Sequence, residues 1–124
     1  MESRQNHDNN RDKIETVRVQ GGKEHPTYAA VLNEAHVHGL QSIKVEILQF
    51  PTDENHFLCI ARAKVTMLDK ETTKVFQEVG DASPKNVNKM IAPHLVRMAC
   101  TRAKGRALRD AVNIGQALKE EMSE

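Results

Sequence analysis

The sequence is poor in aromatic residues and in cysteine. It contains one Tyr, three Phe and no Trp in 124 residues, so a binding site built on stacked aromatic rings is poorly supplied. The two cysteines, Cys59 and Cys100, each lie in an apolar stretch. That setting favours buried free thiols over a disulfide or a metal ligand.

Long apolar runs are also missing. No run approaches the ~20 consecutive apolar residues that a membrane-spanning helix requires, and residues 1–13 lack the apolar block of a signal peptide. With 39% hydrophobic residues, the chain can form one modest core. We therefore expect a soluble, intracellular protein with a single folded domain.

Acidic residues are absent from Pro84 to Arg109, although the net charge of the whole chain is only +1. All 17 acidic residues lie elsewhere. A solvated helix surface normally mixes both signs of charge, so this asymmetry favours a polyanionic partner on one face. The stretch holds seven cations, which are Lys85, Lys89, Arg97, Arg102, Lys104, Arg106 and Arg109.

Hydrophobic periodicity predicts an α+β fold. Residues 1–13 are expected to form a disordered tail, and a short strand from Ile14 to Val19 is expected to follow it. Helical spacing from Thr27 to His38 predicts an amphipathic helix that ends at Gly39. Alternating apolar residues then predict a three-stranded antiparallel meander, formed by Ile43 to Phe50, Phe57 to Leu68 and Thr72 to Gly80.

Two helices are predicted after the meander. Ser83 and Pro84 are typical of a helix start, and the short helix that they predict runs to about Ile91. A longer basic helix is predicted from His94 through Ala111 and is expected to pack against the meander. Residues 116–124 are expected to form a helical extension or a tail.

The long helix is predicted to be apolar on two flanks. At ~100° per residue, Ala99, Ala103 and Ala107 share one flank, and Leu108 and Val112 share the other. A surface helix needs only one apolar stripe. We therefore expect the small-residue flank to lie against the sheet and the Leu108 flank to meet a neighbouring subunit.

Arginines line one seam of this helix about one turn apart, at the ~5–6 Å spacing that also separates successive nucleic-acid phosphates. The arginine fork donates two hydrogen bonds to a phosphate and keeps its charge. On the predicted second strand, Arg62 and Lys64 share a face and are expected to form the opposite wall of a groove. The alternative is that one or two of these arginines pair with carboxylates. The helix arginines are Arg102, Arg106 and Arg109, and the carboxylates include Asp110 and Glu78.

One stretch carries a family resemblance. The sequence RALRDAVNIG, from Arg106 to Gly115, follows the long alternating strand and the turn from Val79 to Ser83. In this order the chain resembles the Rad-fifty-two superfamily of single-strand annealing proteins, and within it the bacterial and phage members related to DNA-damage-response protein A. The resemblance covers about Thr27 to Gly115.

The resemblance implies a single-strand annealing domain over residues 14–115 that acts in recombinational DNA repair. It also implies a homo-oligomeric ring or filament, a bacterial or phage origin and a cytoplasmic, nucleoid-associated location. Eukaryotic members recruit a recombinase through a long C-terminal region that has no counterpart here, so a recombinase partner is left open. In the family, single-stranded DNA lies in a groove on basic residues of helix and strand. Arg106 and Arg109 match the helix positions, Arg62 and Lys64 match the strand, and Arg97, Arg102 and Lys104 complete the predicted set.

Enzymatic activity is not expected, and neither is a metal or a cofactor. Glu78 and Asp81 form the one close carboxylate pair beside the basic stretch, and a helix-capping turn explains them better than a metal nuclease does. His36 and His38 lie two residues apart on a helix and so face different directions. The sequence has no glycine-rich phosphate loop.

Two other binding functions stay open from the sequence. The first is a non-catalytic oligomeric adaptor whose basic helix binds an acidic protein. The second is protection of DNA ends without annealing. Duplex recognition by a helix-turn-helix is less favoured, because a helix that is apolar on both flanks has no free face for the major groove.

Overall fold

Three long strands and one long helix form most of the described chain. The structure is a computed structural model that describes residues 16–18, 24–87, 94–113 and 118–121. Among these residues, no helix is both long and apolar enough to cross a membrane. In chain order the elements are β1 (Thr16–Arg18), β2 (Glu24–Pro26), α1 (Tyr28–Val37), β3 (Leu40–Gln49), β4 (Cys59–Asp69), β5 (Thr72–Ala82) and α2 (Leu95–Ala111).

The predicted α+β architecture is confirmed. Strands β3, β4 and β5 form an open antiparallel sheet in that order, and α2 packs across one of its faces. The short N-terminal strand is present as β1, which pairs with β2 in a separate two-stranded ladder. Helix α1 follows, with the Thr27 hydroxyl accepting a hydrogen bond from the Ala30 amide at 3.1 Å, and it ends before Gly39 as expected.

Small residues bring α2 close to the sheet. Ala61 on β4 pairs in register with Gly80 on β5, and both are buried beneath the helix. On the helix side, Ala99, Ala103 and Ala107 are fully buried. The prediction that this flank faces the sheet is therefore confirmed.

The opposite face of the sheet is largely exposed, and we call it the open face. It consists of the residues that alternate with the buried set on the three strands. Lys64, Val75 and Val79 are exposed there. Its central members are Lys44 and Glu46 on β3, Arg62, Lys64 and Thr66 on β4, and Val75, Gln77 and Val79 on β5.

Strand β3 begins at Leu40, three residues before the predicted start at Ile43. The boundaries of β4 and β5 also differ from the prediction. Phe57 lies outside β4, because it adopts a φ of 57° in the turn that precedes the strand. Thr52 and Asn55 stabilise this turn through reciprocal side-chain hydrogen bonds to each other's amides, at 2.9 and 3.3 Å. Strand β5 continues past Gly80 to Ala82. In both places local hydrogen bonding or strand pairing overrides the apolar pattern.

The predicted helix after Ser83 is described only in part. Residues 84–87 form a turn in which the Asn86 amide donates to the Ser83 carbonyl at 3.0 Å. The Lys85 amide donates to the Ser83 hydroxyl at 3.3 Å, as expected of a capping residue. The rest of the predicted helix, residues 88–91, lies outside the described residues.

The prediction that the Leu108 flank of α2 meets a neighbouring subunit is wrong for Leu108. That side chain is fully buried within the chain, and Val112 is half-buried against the same core. Residues 119–121 form a 3₁₀ turn, and Leu118 before it is also fully buried. At Leu108, the second apolar flank is therefore covered by other parts of the same chain. A helical projection cannot show this, because it contains no information on the segments that pack against the helix.

Both cysteines are free thiols, as the sequence predicts. Cys59 is fully buried at the start of β4, and Cys100 is half-buried on α2. Burial raises the pKa of both thiols above the usual value. A thiol in such a setting is less reactive than an exposed cysteine.

Candidate functional site

Two lysines lie directly opposite each other at the centre of the open face. Lys44 on β3 is the register partner of Lys64 on β4, and both are exposed. Like charges directly opposite on neighbouring strands destabilise a sheet. Sequence reasoning found Lys64 but missed Lys44, because the strand register that joins them is not evident from alternation alone.

Arg62 adds a third cation to the open face. Its guanidinium donates two hydrogen bonds to the Glu46 carboxylate, the residue opposite it on β3, and the bond from Nε measures 3.1 Å. The side chains of Arg62 and Glu46 are 43% and 59% exposed. An ion pair this exposed adds little stability, so Arg62 can exchange Glu46 for another anion at small cost.

Arg106 extends from α2 to the edge of the sheet. Its Nη1 donates to the backbone carbonyl of Val79 at 2.9 Å and lies 3.6 Å from the Asp81 carboxylate. Val79 is also the register partner of Arg62. Arg106 therefore approaches β5 from the helix side, whereas the guanidinium of Arg62 bonds Glu46 of β3 on the open face. Arg62 and Lys64 point away from α2, so the expected groove with these residues facing the helix arginines is not formed.

A second carboxylate joins two arginines of the helix. Oε1 of Glu121 accepts hydrogen bonds from Arg106 Nε at 3.2 Å and from Arg109 Nη2 at 3.1 Å. Oε2 of the same residue accepts from the Leu118 amide at 2.8 Å. The Glu121 side chain is only 5% exposed, so this pair is largely shielded from solvent. Charge-assisted bonds of this kind are stronger than neutral ones.

Arg102 is buried between α2 and the turn that follows β5. Its two Nη groups donate to the carbonyls of Asp81 and Asn86 at 2.8 and 2.9 Å and to the Asn86 side-chain oxygen at 3.0 Å. The residue is 5% exposed. Burial, reinforced by the nearby Arg106 charge, lowers the pKa of the Arg102 guanidinium. These bonds join the turn to the helix and leave little of Arg102 for a ligand.

The remaining predicted helix cations lie apart from this edge of the sheet. Lys104 is half-buried, and its ammonium lies 5.3 Å from the centre of the Tyr28 ring on α1, within cation–π range. Arg97 is exposed in the first turn of α2. The structure therefore places Arg62 and Lys64 on the open face and joins Arg106 and Arg109 through Glu121 on the helix side.

The carboxylates that pair with the helix arginines are not the pair named from the sequence. Asp81 and Glu121 take this role. Glu78 instead shares a hydrogen bond with Asp110, which raises the pKa of Glu78, and partial burial adds to the effect. Nothing in the sequence pattern pointed to Glu121, since it lies in a segment expected to be a helical extension or tail.

No group of three or more histidine, cysteine or acidic side chains that could hold a metal ion occurs in the part of the chain that the structure describes. The sequence matches no known protein-family model, and no curated protein was found to match it either.

Proposed function

We propose that this protein binds single-stranded DNA through its phosphates and anneals complementary strands as a homo-oligomer. The observation that carries the proposal is the group of cations on the open face, Lys44, Lys64 and Arg62, on a sheet whose edge strand β5 is contacted by Arg106 of the helix. A backbone that crosses the edge of β5 passes from cations of the sheet to a cation of the helix. Both arginines already contact carboxylates, which are anions that a phosphate can replace.

The lysines of the open face support the same interpretation. Lys44 and Lys64 repel each other across the β3–β4 pair, and a phosphate between them removes that repulsion. Arg62 lies next to Lys64 on the same face of β4 and pairs with Glu46 of the adjacent β3. The sheet thus offers a short row of cations beside the Arg106 edge.

Annealing requires that the bases remain available for pairing. The open face carries charged, polar and aliphatic side chains, including the acidic Glu46, and Phe76 of β5 packs against the core on the other side. Among the described residues of the open face, none is aromatic. Binding through phosphates therefore has more support than binding through base stacking, and phosphate contacts leave the base edges free.

The resemblance to single-strand annealing proteins of the Rad-fifty-two superfamily agrees with this proposal. The order of meander and long basic helix is the order described above for β3, β4, β5 and α2. The resemblance is the source of the oligomer in the proposal, together with a cytoplasmic location on bacterial or phage DNA. Neither follows from the fold alone.

The test is binding to a fluorescent oligo-dT and to a duplex of equal length over a series of salt concentrations. The wild-type chain is expected to prefer the single strand, with log K falling by ~0.7 per contacted phosphate for each unit of log salt. Lys64→Ala and Arg62→Ala are expected to weaken binding and to flatten this slope. Lys74→Ala is the matched control, because Lys74 is an exposed lysine of β5 that faces away from the open face.

Two further measurements complete this test. Light scattering with and without DNA gives the number of subunits, and mixing complementary labelled strands measures annealing. A folded sample that does not bind the oligonucleotide at low salt, or that binds polyglutamate equally well, contradicts the proposal. The second result favours an adaptor for acidic proteins instead.

A further inference from the structure

The C-terminal segment, residues 118–121, is attached to the rest of the protein at three points. Leu118 is fully buried, and its Cδ1 lies 2.5 Å from the position that a Cβ on Gly105 would occupy. Glu120 accepts a hydrogen bond from the Tyr28 amide at the start of α1, at 2.8 Å. Glu121 accepts from both helix arginines. The segment is therefore docked by packing as well as by charge.

The Glu121 carboxylate makes the kind of contacts that a phosphate group makes. A single oxygen bridges Arg106 and Arg109, one turn apart on α2, and the other oxygen binds a backbone amide. Arginine pairs and backbone amides are the groups that proteins commonly present to phosphate oxygens. The two arginines that resemble family DNA-contacting positions are thus occupied by an anion of the chain itself.

The carboxylate leaves one donor of this site unused. Arg109 Nε is buried and has no hydrogen-bond partner among the described residues. Nε and Nη2 lie on the same edge of a guanidinium and together form a two-donor fork. Glu121 engages Nη2 only, whereas a phosphate has enough acceptor oxygens to engage both donors while also contacting Arg106.

We propose that Glu121 is an internal substitute for a DNA phosphate and that the C-terminal segment restricts access to Arg106 and Arg109. This inference rests on the proposed function. DNA and Glu121 compete for the same two guanidinium groups, so the apparent affinity for DNA is reduced by the fraction of molecules in which the segment is docked. Release of the segment makes these two arginines available to DNA in addition to the cations of the open face.

The experiment compares Glu121→Gln with Glu120→Gln in oligo-dT binding. Both variants remove one negative charge from the same segment, and both keep an acceptor oxygen, but only Glu121 contacts the arginines. E121Q is expected to bind about tenfold more tightly than wild type, a factor typical of coupled sites. Its salt slope is expected to be steeper by about 0.7, for the one added phosphate that both arginines contact. E120Q is expected to change affinity less than about twofold, because the glutamine oxygen still accepts from the Tyr28 amide and the segment stays docked on Arg106 and Arg109.

Two more variants test whether the arginines and the docking of the segment cause the change in affinity. Arg109→Gln combined with E121Q is expected to abolish the gain in affinity, because the released donor is then missing. Leu118→Ala loosens the segment without changing charge and is expected to raise affinity in the same direction. Circular dichroism on each variant ensures that folded protein is compared.

Several outcomes overturn the inference. Equal gains in E121Q and E120Q mean that net charge alone acts, and an unchanged affinity in both E121Q and L118A means that the segment does not compete. In these cases wild-type binding is intact, so the proposed function survives. If wild type and every variant fail to bind the oligonucleotide, the proposed function fails and the inference fails with it.

Discussion

Gly80 of β5 lies directly under the backbone of Ala103 on α2. A Cβ at position 80 would stand 2.2 Å from the Ala103 nitrogen and 2.5 Å from the Ala99 carbonyl oxygen. No side chain fits at such distances without moving the backbone. The contact sets how closely the helix approaches the sheet, and through it the reach of Arg106 to Val79.

Gly80→Ala is therefore expected to destabilise the protein by about 1–3 kcal/mol, the usual cost of forcing an extra methyl group into a packed interior. Urea unfolding followed by circular dichroism measures the change. Thr73→Ala, at an exposed position of the same strand, is the control and is expected to stay within about 0.5 kcal/mol of wild type. A G80A variant as stable as wild type would show that α2 lies farther from β5 than described.

Arg102→Met is expected to lower stability by about 2–4 kcal/mol, because it leaves the buried carbonyls of Asp81 and Asn86 without their donors. Methionine keeps most of the apolar volume of the arginine stem, so the loss reflects the hydrogen bonds. Chemical unfolding compares it with Arg97→Met, an exposed position on the same helix. Equal stabilities in the two variants would contradict a structural role for Arg102.

Glu78→Gln is expected to gain stability relative to wild type as pH rises. The hydrogen bond with Asp110 raises the folded-state pKa of Glu78 above its unfolded value of 4.5. The folded state then binds the proton more tightly than the unfolded state does. The stabilising contribution of the protonated group is complete below the unfolded pKa and is lost as pH rises through the folded pKa.

Thermal unfolding of wild type and E78Q from about pH 4 to about pH 8 measures this effect, since the amide cannot ionise and the difference should grow with pH. Glu71→Gln, in the exposed turn between β4 and β5, serves as the control for removal of a carboxyl. If the difference in melting temperature between E78Q and wild type does not change with pH, a hydrogen bond between Asp110 and Glu78 is contradicted.

Much of the fold follows from patterns within single segments. Alternation over β4 assigns Ala61 and Ala63 to one face and Arg62 and Lys64 to the other, and both assignments agree with the structure. Helical spacing likewise assigns Ala103 to the flank that meets the sheet. Such patterns succeed because a side chain's direction relative to its own strand or helix is set by local backbone geometry.

The candidate site depended on contacts between distant segments. Whether Lys44 faces Lys64 depends on strand register, and whether Arg106 and Arg109 face solvent depends on Glu121, which follows them by 15 and 12 residues. Leu108 was assigned to a neighbour for the same reason, since the sequence does not indicate which parts of the chain bury it.

The sequence by itself thus determined the order of elements, the buried face of each strand and the concentration of positive charge in one helix, all of which depend on local periodicity and composition. Only the tertiary structure decided which of those cations remain available. Burial and ion pairing depend on which remote segment covers a given face, and that is settled by the packing of the whole chain.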